Sequence, residues 1–141
     1  MEVLSVISRW EKREEGARTI TEQQATGKLD FEQLRRAEEQ RNLDAMLDLY
    51  ADDAEVRIVN RATPPSSPFV LRGKEEIAEY LRDVFGREMT HSIQNEVVGE
   101  DRLAFNVACE YPDGTRVLAS ENMQLRDGKV VRQVEVVAWD E

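Results

Sequence analysis

Two side chains able to move protons stand where apolar ones are expected. The only histidine, His91, shares one face of a predicted strand over residues 90–98 with Ile93, Asn95 and Val97, because successive strand residues point to opposite sides. In residues 115–126 the same parity sets Glu121 among Val117, Ala119, Met123 and Leu125, while Arg116, Ser120, Asn122 and Gln124 face away. An acid and an imidazole on the apolar side of a sheet either serve a reactive pocket or are buried groups satisfied by partners. For Glu121 the second reading is an ion pair with an arginine, and for His91 a hydrogen-bonded strand histidine. The single Cys109 lies among Leu103, Phe105, Val107 and Tyr111 on one face of a strand over 102–111. It cannot form an internal disulfide, and it reads as a buried structural thiol.

Other chemistries find no residues to carry them. One histidine and one cysteine cannot supply an N/S zinc site, and neither a glycine-rich phosphate loop nor a nucleophile elbow is present. No cofactor is expected. Asp52 and Asp53 end a helix and begin a strand, which suits a turn. Nineteen Lys and Arg against 29 Asp and Glu give a formal charge of −10, which repels phosphate backbones and anionic lipid surfaces. Neither a nucleic acid nor a membrane is therefore expected as partner. The apolar run in MEVLSVISRWEKREE is too short and interrupted for a signal peptide or a span, so a cytoplasmic location is expected.

The elements that must position these residues follow from periodicity. The chain of 141 residues, 40% hydrophobic and 34% charged, suits one folded domain. Val3, Val6, Ile7 and Trp10 predict a short amphipathic helix over 2–15, and residues 16–29 read as a connector. Asp30 can cap a helix with Gln33 at the reciprocal position, its stripe made by Phe31, Leu34 and Ala37. Asn42 caps a second helix carrying Leu43, Met46, Leu47 and Tyr50. A strand over 54–60 and a Pro-rich loop lead to the short extended piece Phe69-Val70-Leu71. Ile77, Tyr80, Leu81, Val84 and Phe85 mark the strongest helix, between Gly73 and Gly86. The strands over 90–98, 102–111, 115–126 and 129–139 then form a meander, with the turn pairs Asp113-Gly114 and Asp127-Gly128. The last carries valines on both faces, so both sides should be covered. Helices gathered on one face of an antiparallel sheet make an α+β fold.

The segments from Asn42 to Ala54, Leu71 to Ile77 and Leu125 to Val131 carry a resemblance. From about Asp30 to Trp139 the chain looks like the cone-shaped, cystatin-like α+β barrel shared by nuclear transport factor 2, SnoaL-like polyketide cyclases, ketosteroid isomerase and scytalone dehydratase. The resemblance implies a barrel domain over 30–141 behind an amino-terminal helical extension, 1–29. It also implies a pocket between sheet and helices for a small apolar carbonyl-type molecule. His91 with Asn95 four residues on matches the SnoaL-like and dehydratase-like branches. In the dehydratase-like pattern the imidazole pairs with an acid near the end of the first helix, and the matching position is Glu39. Glu38 lies closer to the stripe of Phe31 and Leu34, and both acids also suit a solvated face with Arg35, Arg36, Gln40 and Arg41.

Glu121 resembles the acid of the isomerase oxyanion hole, which would stay protonated among apolar neighbours. The isomerase's general base would fall at Ile58 and its oxyanion tyrosine at Leu34, so steroid-type isomerisation is not implied. The expected catalytic set is thus His91, Glu39 and Glu121, in a pocket with Glu38, Leu34, Tyr50, Ile58, Asn95, Phe105, Val107, Met123 and Trp139. Three functions suit this pattern: a lyase, isomerase or cyclase that abstracts a proton beside a carbonyl, a non-catalytic module binding an apolar ligand, or an assembly domain. A homodimer through the sheet face is expected.

Overall fold

Asp30 and Asn42 start the two helices they were expected to cap. In the computed structural model, which describes residues 28–141, Asp30 Oδ1 accepts from the Glu32 amide at 2.9 Å and Asn42 Oδ1 from the Ala45 amide at 3.1 Å. These caps satisfy amides that the first helical turn leaves without intrahelical partners. Helix α1 spans Phe31–Glu39 and turns Leu34, Ala37 and Glu38 inward. Helix α2 is only Leu43–Leu47. The chain then enters strand β1, Tyr50–Val59, several residues before the strand read from sequence. Tyr50 and the two aspartates after it belong to this strand. The amino-terminal helix expected over 2–15, and the connector through residue 27, lie outside the described residues.

Strand β2, Phe69–Arg72, pairs antiparallel with β1 and leads through Gly73, at φ +84°, into helix α3, Gly73–Phe85. Ile77, Leu81 and Phe85 are its buried stripe. The meander follows as β3 Thr90–Val98, β4 Arg102–Glu110, β5 Arg116–Arg126 and β6 Lys129–Trp139. The six strands form one sheet in the order β2-β1-β6-β5-β4-β3, antiparallel except where β1 meets β6. Helix α1 packs on β3 and helix α3 on β1 and β2. The core between helices and sheet includes Leu34, Met46, Ile58, Ile77, Leu103, Phe105 and Val130, all almost without exposure. No helix among the described residues is long and apolar enough to cross a membrane.

Two irregularities decide which side chains face inward. The β3/β4 register shifts between Gln94 and Val97, and Asn95 takes a left-handed φ of +58°. An extra residue of this kind reverses strand parity. His91 and Ile93 are buried, whereas Asn95 and Val97 are exposed. The β5/β6 register shifts between Gln124 and Leu125. Beyond that bulge Gln133, Glu135, Val137 and Trp139 share the inner face with β5's apolar set, and Val134 and Val136 stand outside.

Candidate active site

The inner faces of β3 to β6 and the helix α3 enclose a cavity of about 80 Å³. Its floor includes buried His91, Glu38, Val107, Cys109 and Glu121. Its half-buried lining residues, Tyr80, Val84, Arg87, Glu135, Val137 and Trp139, all belong to α3, the turn after it and β6. The mouth therefore lies between α3 and β6. Pockets for drug-sized ligands measure about 300–1,000 Å³, so this one suits a molecule of few atoms.

At the floor, His91 Nδ1 lies 2.6 Å from Glu38 Oε2, and the histidine side chain is only 2% exposed. With Glu38 ionised and the ring neutral, the proton of this contact sits on Nδ1 and the lone pair on Nε2. That Nε2 is buried with no hydrogen-bond partner among the described residues. Phe85 meets the imidazole edge to face at 5.7 Å between centroids. The ring is thus held by a carboxylate on one nitrogen and an aromatic wall, while its basic nitrogen is left unused.

The partner of His91 is Glu38 rather than the expected Glu39. Glu38 follows Leu34 by four residues and falls on the same buried stripe, whereas the next residue turns about 100° away. Glu39 Oε2 instead accepts the Ile93 amide at 2.8 Å at a part-exposed site and lies 4.0 Å from Arg35. The solvated-face reading thus fits Glu39 and fails for Glu38. The signal that separates them was in the helical wheel.

Nearer the mouth, Glu121 on β5 and Glu135 on β6 are directly opposed partners. Tyr80 on α3 donates to Glu135 Oε2 at 3.0 Å. Gln133 Nε2 donates to Glu121 Oε1, and Tyr50 donates to Gln133 Oε1. Donors thus flank the opposed acids on both sides, with Tyr50 behind Gln133, and Glu121 has no arginine partner among the described residues. Burial raises the Glu121 carboxyl well above the ordinary range, helped by the charges of Glu135 and Glu38. Glu135 is raised too, by burial first, with hydrogen bonds from Glu121 and Tyr80 working the other way. Burial likewise pushes the Cys109 thiol up to about 12, in keeping with a structural thiol. Arg87 reaches the lining but is tied to Asp83 at 2.6 Å and Tyr111 at 3.3 Å.

Of the expected site, the structure brings His91, Glu38, Glu121, Val107 and Trp139 to one cavity. It places Leu34, Tyr50, Ile58, Phe105 and Met123 in the packed core instead. Asn95 is exposed because of its bulge. Sequence reasoning missed Glu135, Tyr80 and Gln133. Tyr80 stood in the apolar stripe of α3, but Glu135 lies in a strand whose valines fill both parities, and only the bulge selects its face. Among the described residues no three histidines, cysteines or acids are grouped as metal ligands.

Solved structures share this architecture at low identity. A nuclear transport factor 2-like protein of unknown function from Mesorhizobium loti is 15% identical with a TM-score of 0.66, covering 77% of this chain and 87% of its own. A candidate ketosteroid isomerase from Kribbella flavida is 16% identical with a TM-score of 0.62, over 78% of this chain and 74% of its own. A candidate polyketide cyclase from Sinorhizobium meliloti is 16% identical with a TM-score of 0.56, over 73% and 89% respectively. At these identities the likeness concerns the fold. No curated protein sequence matches the chain. The SnoaL-like domain model matches residues 31–133, and with the curved sheet, the helices over it and the cavity between them, the chain belongs to that family of the nuclear transport factor 2-like superfamily.

Proposed function

We propose that the protein is an acid-base catalyst that removes a proton beside the carbonyl of a small neutral molecule. The observation that carries this reading is His91, a residue of the cavity lining whose Nδ1 is fixed on Glu38 while its buried Nε2 has no hydrogen-bond partner among the described residues. A buried polar nitrogen left unsatisfied costs about 1–3 kcal/mol, which a purely structural histidine gains nothing by bearing. His91 is the base, and Glu38 orients the ring and stabilises the imidazolium that forms. Glu121, held protonated, is the hydrogen-bond donor to the oxygen on which charge develops. The acids Glu38, Glu121 and Glu135 around one small cavity disfavour an anionic substrate. The structural likeness to a candidate isomerase and a candidate cyclase supports the same reaction class.

Exchange of carbon-bound hydrogen is the direct test. Small ketones and β-hydroxyketones incubated in D2O with the protein should lose α-hydrogens, followed by proton NMR. His91→Gln should slow this by about 10²–10⁴-fold, the usual contribution of a general base. An exchange rate unchanged by His91→Gln would overturn the reading. Ketones that bind without exchanging would leave a ligand-binding pocket in its place.

A further inference from the structure

We propose that Glu121 and Glu135 work as a single acid, a carboxylic acid paired with a carboxylate, and that this pair delivers its proton to the substrate oxygen while His91 removes the carbon-bound proton. This rests on the acid-base reading above and adds Glu135 as the residue that keeps Glu121 loaded. Three observations place the pair. The two carboxyls belong to directly opposed residues of β5 and β6. Both line the cavity that His91 lines. Among the described residues the hydrogen bonds made to the pair come from donors, Gln133 to Glu121 and Tyr80 to Glu135. Two carboxyls on opposed residues at one buried cavity cannot both ionise cheaply, so the pair retains a proton.

The groups facing the pair come from every neighbouring element. They are Tyr80 on α3, Arg87 beyond it, Glu38 on α1, Tyr50 on β1, His91 on β3 and Cys109 on β4. Arg87, the one permanent cation among the described residues of the lining, is held by Asp83 and Tyr111. The charge of Glu38 disfavours ionisation of both carboxyls. The surroundings therefore retain the proton until a stronger acceptor arrives.

The step balances as an enolisation. His91 Nε2 takes the proton from the α-carbon, and the electrons of that C–H bond form the C=C bond of the enol. The carbonyl π electrons move to oxygen, which takes the Glu121 proton. The chain is left with an imidazolium on Glu38 and two carboxylates at the pair, so the net charge of the site is unchanged. Return of the imidazolium proton, through water or through the product, restores the starting state. Tyr80 is a positioning residue that holds Glu135 on the cavity side of β6.

Side-chain carboxyl signals, read by 13C NMR across a pH titration of the full chain, test the pair without any substrate. The wild type should hold one shared proton at neutral pH. Glu135→Gln removes the opposed charge while its amide oxygen can still accept from Tyr80, and it should move the Glu121 titration to a pH lower by about 1–3 units. Tyr80→Phe should move the pair's titration the opposite way, because the charged form loses a donor. Opposite shifts cannot come from a general loosening of the fold. Where ketone exchange is measurable, the high-pH limb of its profile should follow both shifts. Two ordinary carboxylates at neutral pH, or a Glu121 titration unmoved by Glu135→Gln, would overturn the pair while leaving His91 as base untouched. A shared proton together with exchange insensitive to His91→Gln would uphold the pair and sink the catalytic reading instead.

Discussion

Replacing Glu121 by glutamine should stabilise the domain increasingly as pH rises. Burial, then the charges of Glu135 and Glu38, hold the Glu121 carboxyl above its ordinary range in the fold. In the unfolded chain the same group ionises near its reference value of about 4.3. Between those two points the folded state binds a proton that the unfolded state has lost. Stability then falls as pH rises, by about 1.4 kcal/mol per pH unit for one proton. Glutamine keeps the shape, can accept the Gln133 amide and can donate to Glu135, yet it does not titrate. Glu135 is present in both proteins, so its own raised ionisation largely cancels in the comparison. The advantage of Glu121→Gln should be flat below about pH 4 and grow from about pH 5 upward with that slope, until the native group ionises. With a urea slope of about 1–3 kcal/mol/M, each pH unit separates the two midpoints by about 0.5–1.4 M. Urea titrations at several pH values measure this. Midpoints that run parallel over the whole range would show that Glu121 ionises in the fold as it does unfolded, and the protonated acid would be refuted.

Neighbouring acids on α1 should behave differently. Glu38→Ala leaves His91 Nδ1 buried without its acceptor and should cost about 1–3 kcal/mol, whereas Glu39→Ala loses one part-exposed bond to the Ile93 amide, worth about 0.5–1.5 kcal/mol. Equal losses in thermal melts would contradict the assignment of Glu38. The homodimer expected from the sequence would cover the outer sheet face, where Leu118, Val134 and Val136 are 48%, 44% and 49% exposed. Val136→Lys should then halve the mass found by sedimentation, and an unchanged mass would place association elsewhere.

The fold was legible because its signals were local and redundant. Caps at Asp30 and Asn42, the stripe from Ile77 to Phe85 and the period-two alternation of β4 each point to the element that forms. Alternation in β4 survives intact, burying Leu103, Phe105, Val107 and Cys109. The site was legible only as far as such local signals reach. Parity found Glu121 and His91, and helical periodicity held the information that selects Glu38. Counting from a family pattern favoured Glu39, and the wheel was the better guide because burial depends on the 100° step of this helix rather than on distance to a cap. Core residues were mistaken for pocket wall because burial on an inward face does not tell packed interior from cavity lining. Leu34 and Phe105 lie inward as expected and meet side chains rather than space.

The acid pair was invisible for a different reason, which concerns register rather than face. Asp127 and Gly128 both take positive φ, +53° and +76°, as a two-residue turn of the hairpin type requires. That turn pairs Arg126 with Lys129 and Leu125 with Val130. Continued without interruption, the register would oppose Glu121 with Val134 and fill the cavity with valine from a third strand position. The bulge inserts one residue of β6, and the partner of Glu121 becomes Glu135. The same insertion turns Val134 and Val136 outward. One irregularity thus exchanges an apolar filling for a second carboxyl and leaves an apolar stripe on the outer face. Bulges are costly interruptions of a ladder and cluster beside functional sites, where they redirect a side chain. In the uninterrupted register Arg132 would stand opposite buried Met123, so the bulge also keeps a cation off the inner face. The shift between Gln124 and Leu125 thus decides together which acids meet across β5 and β6 and which cation faces solvent.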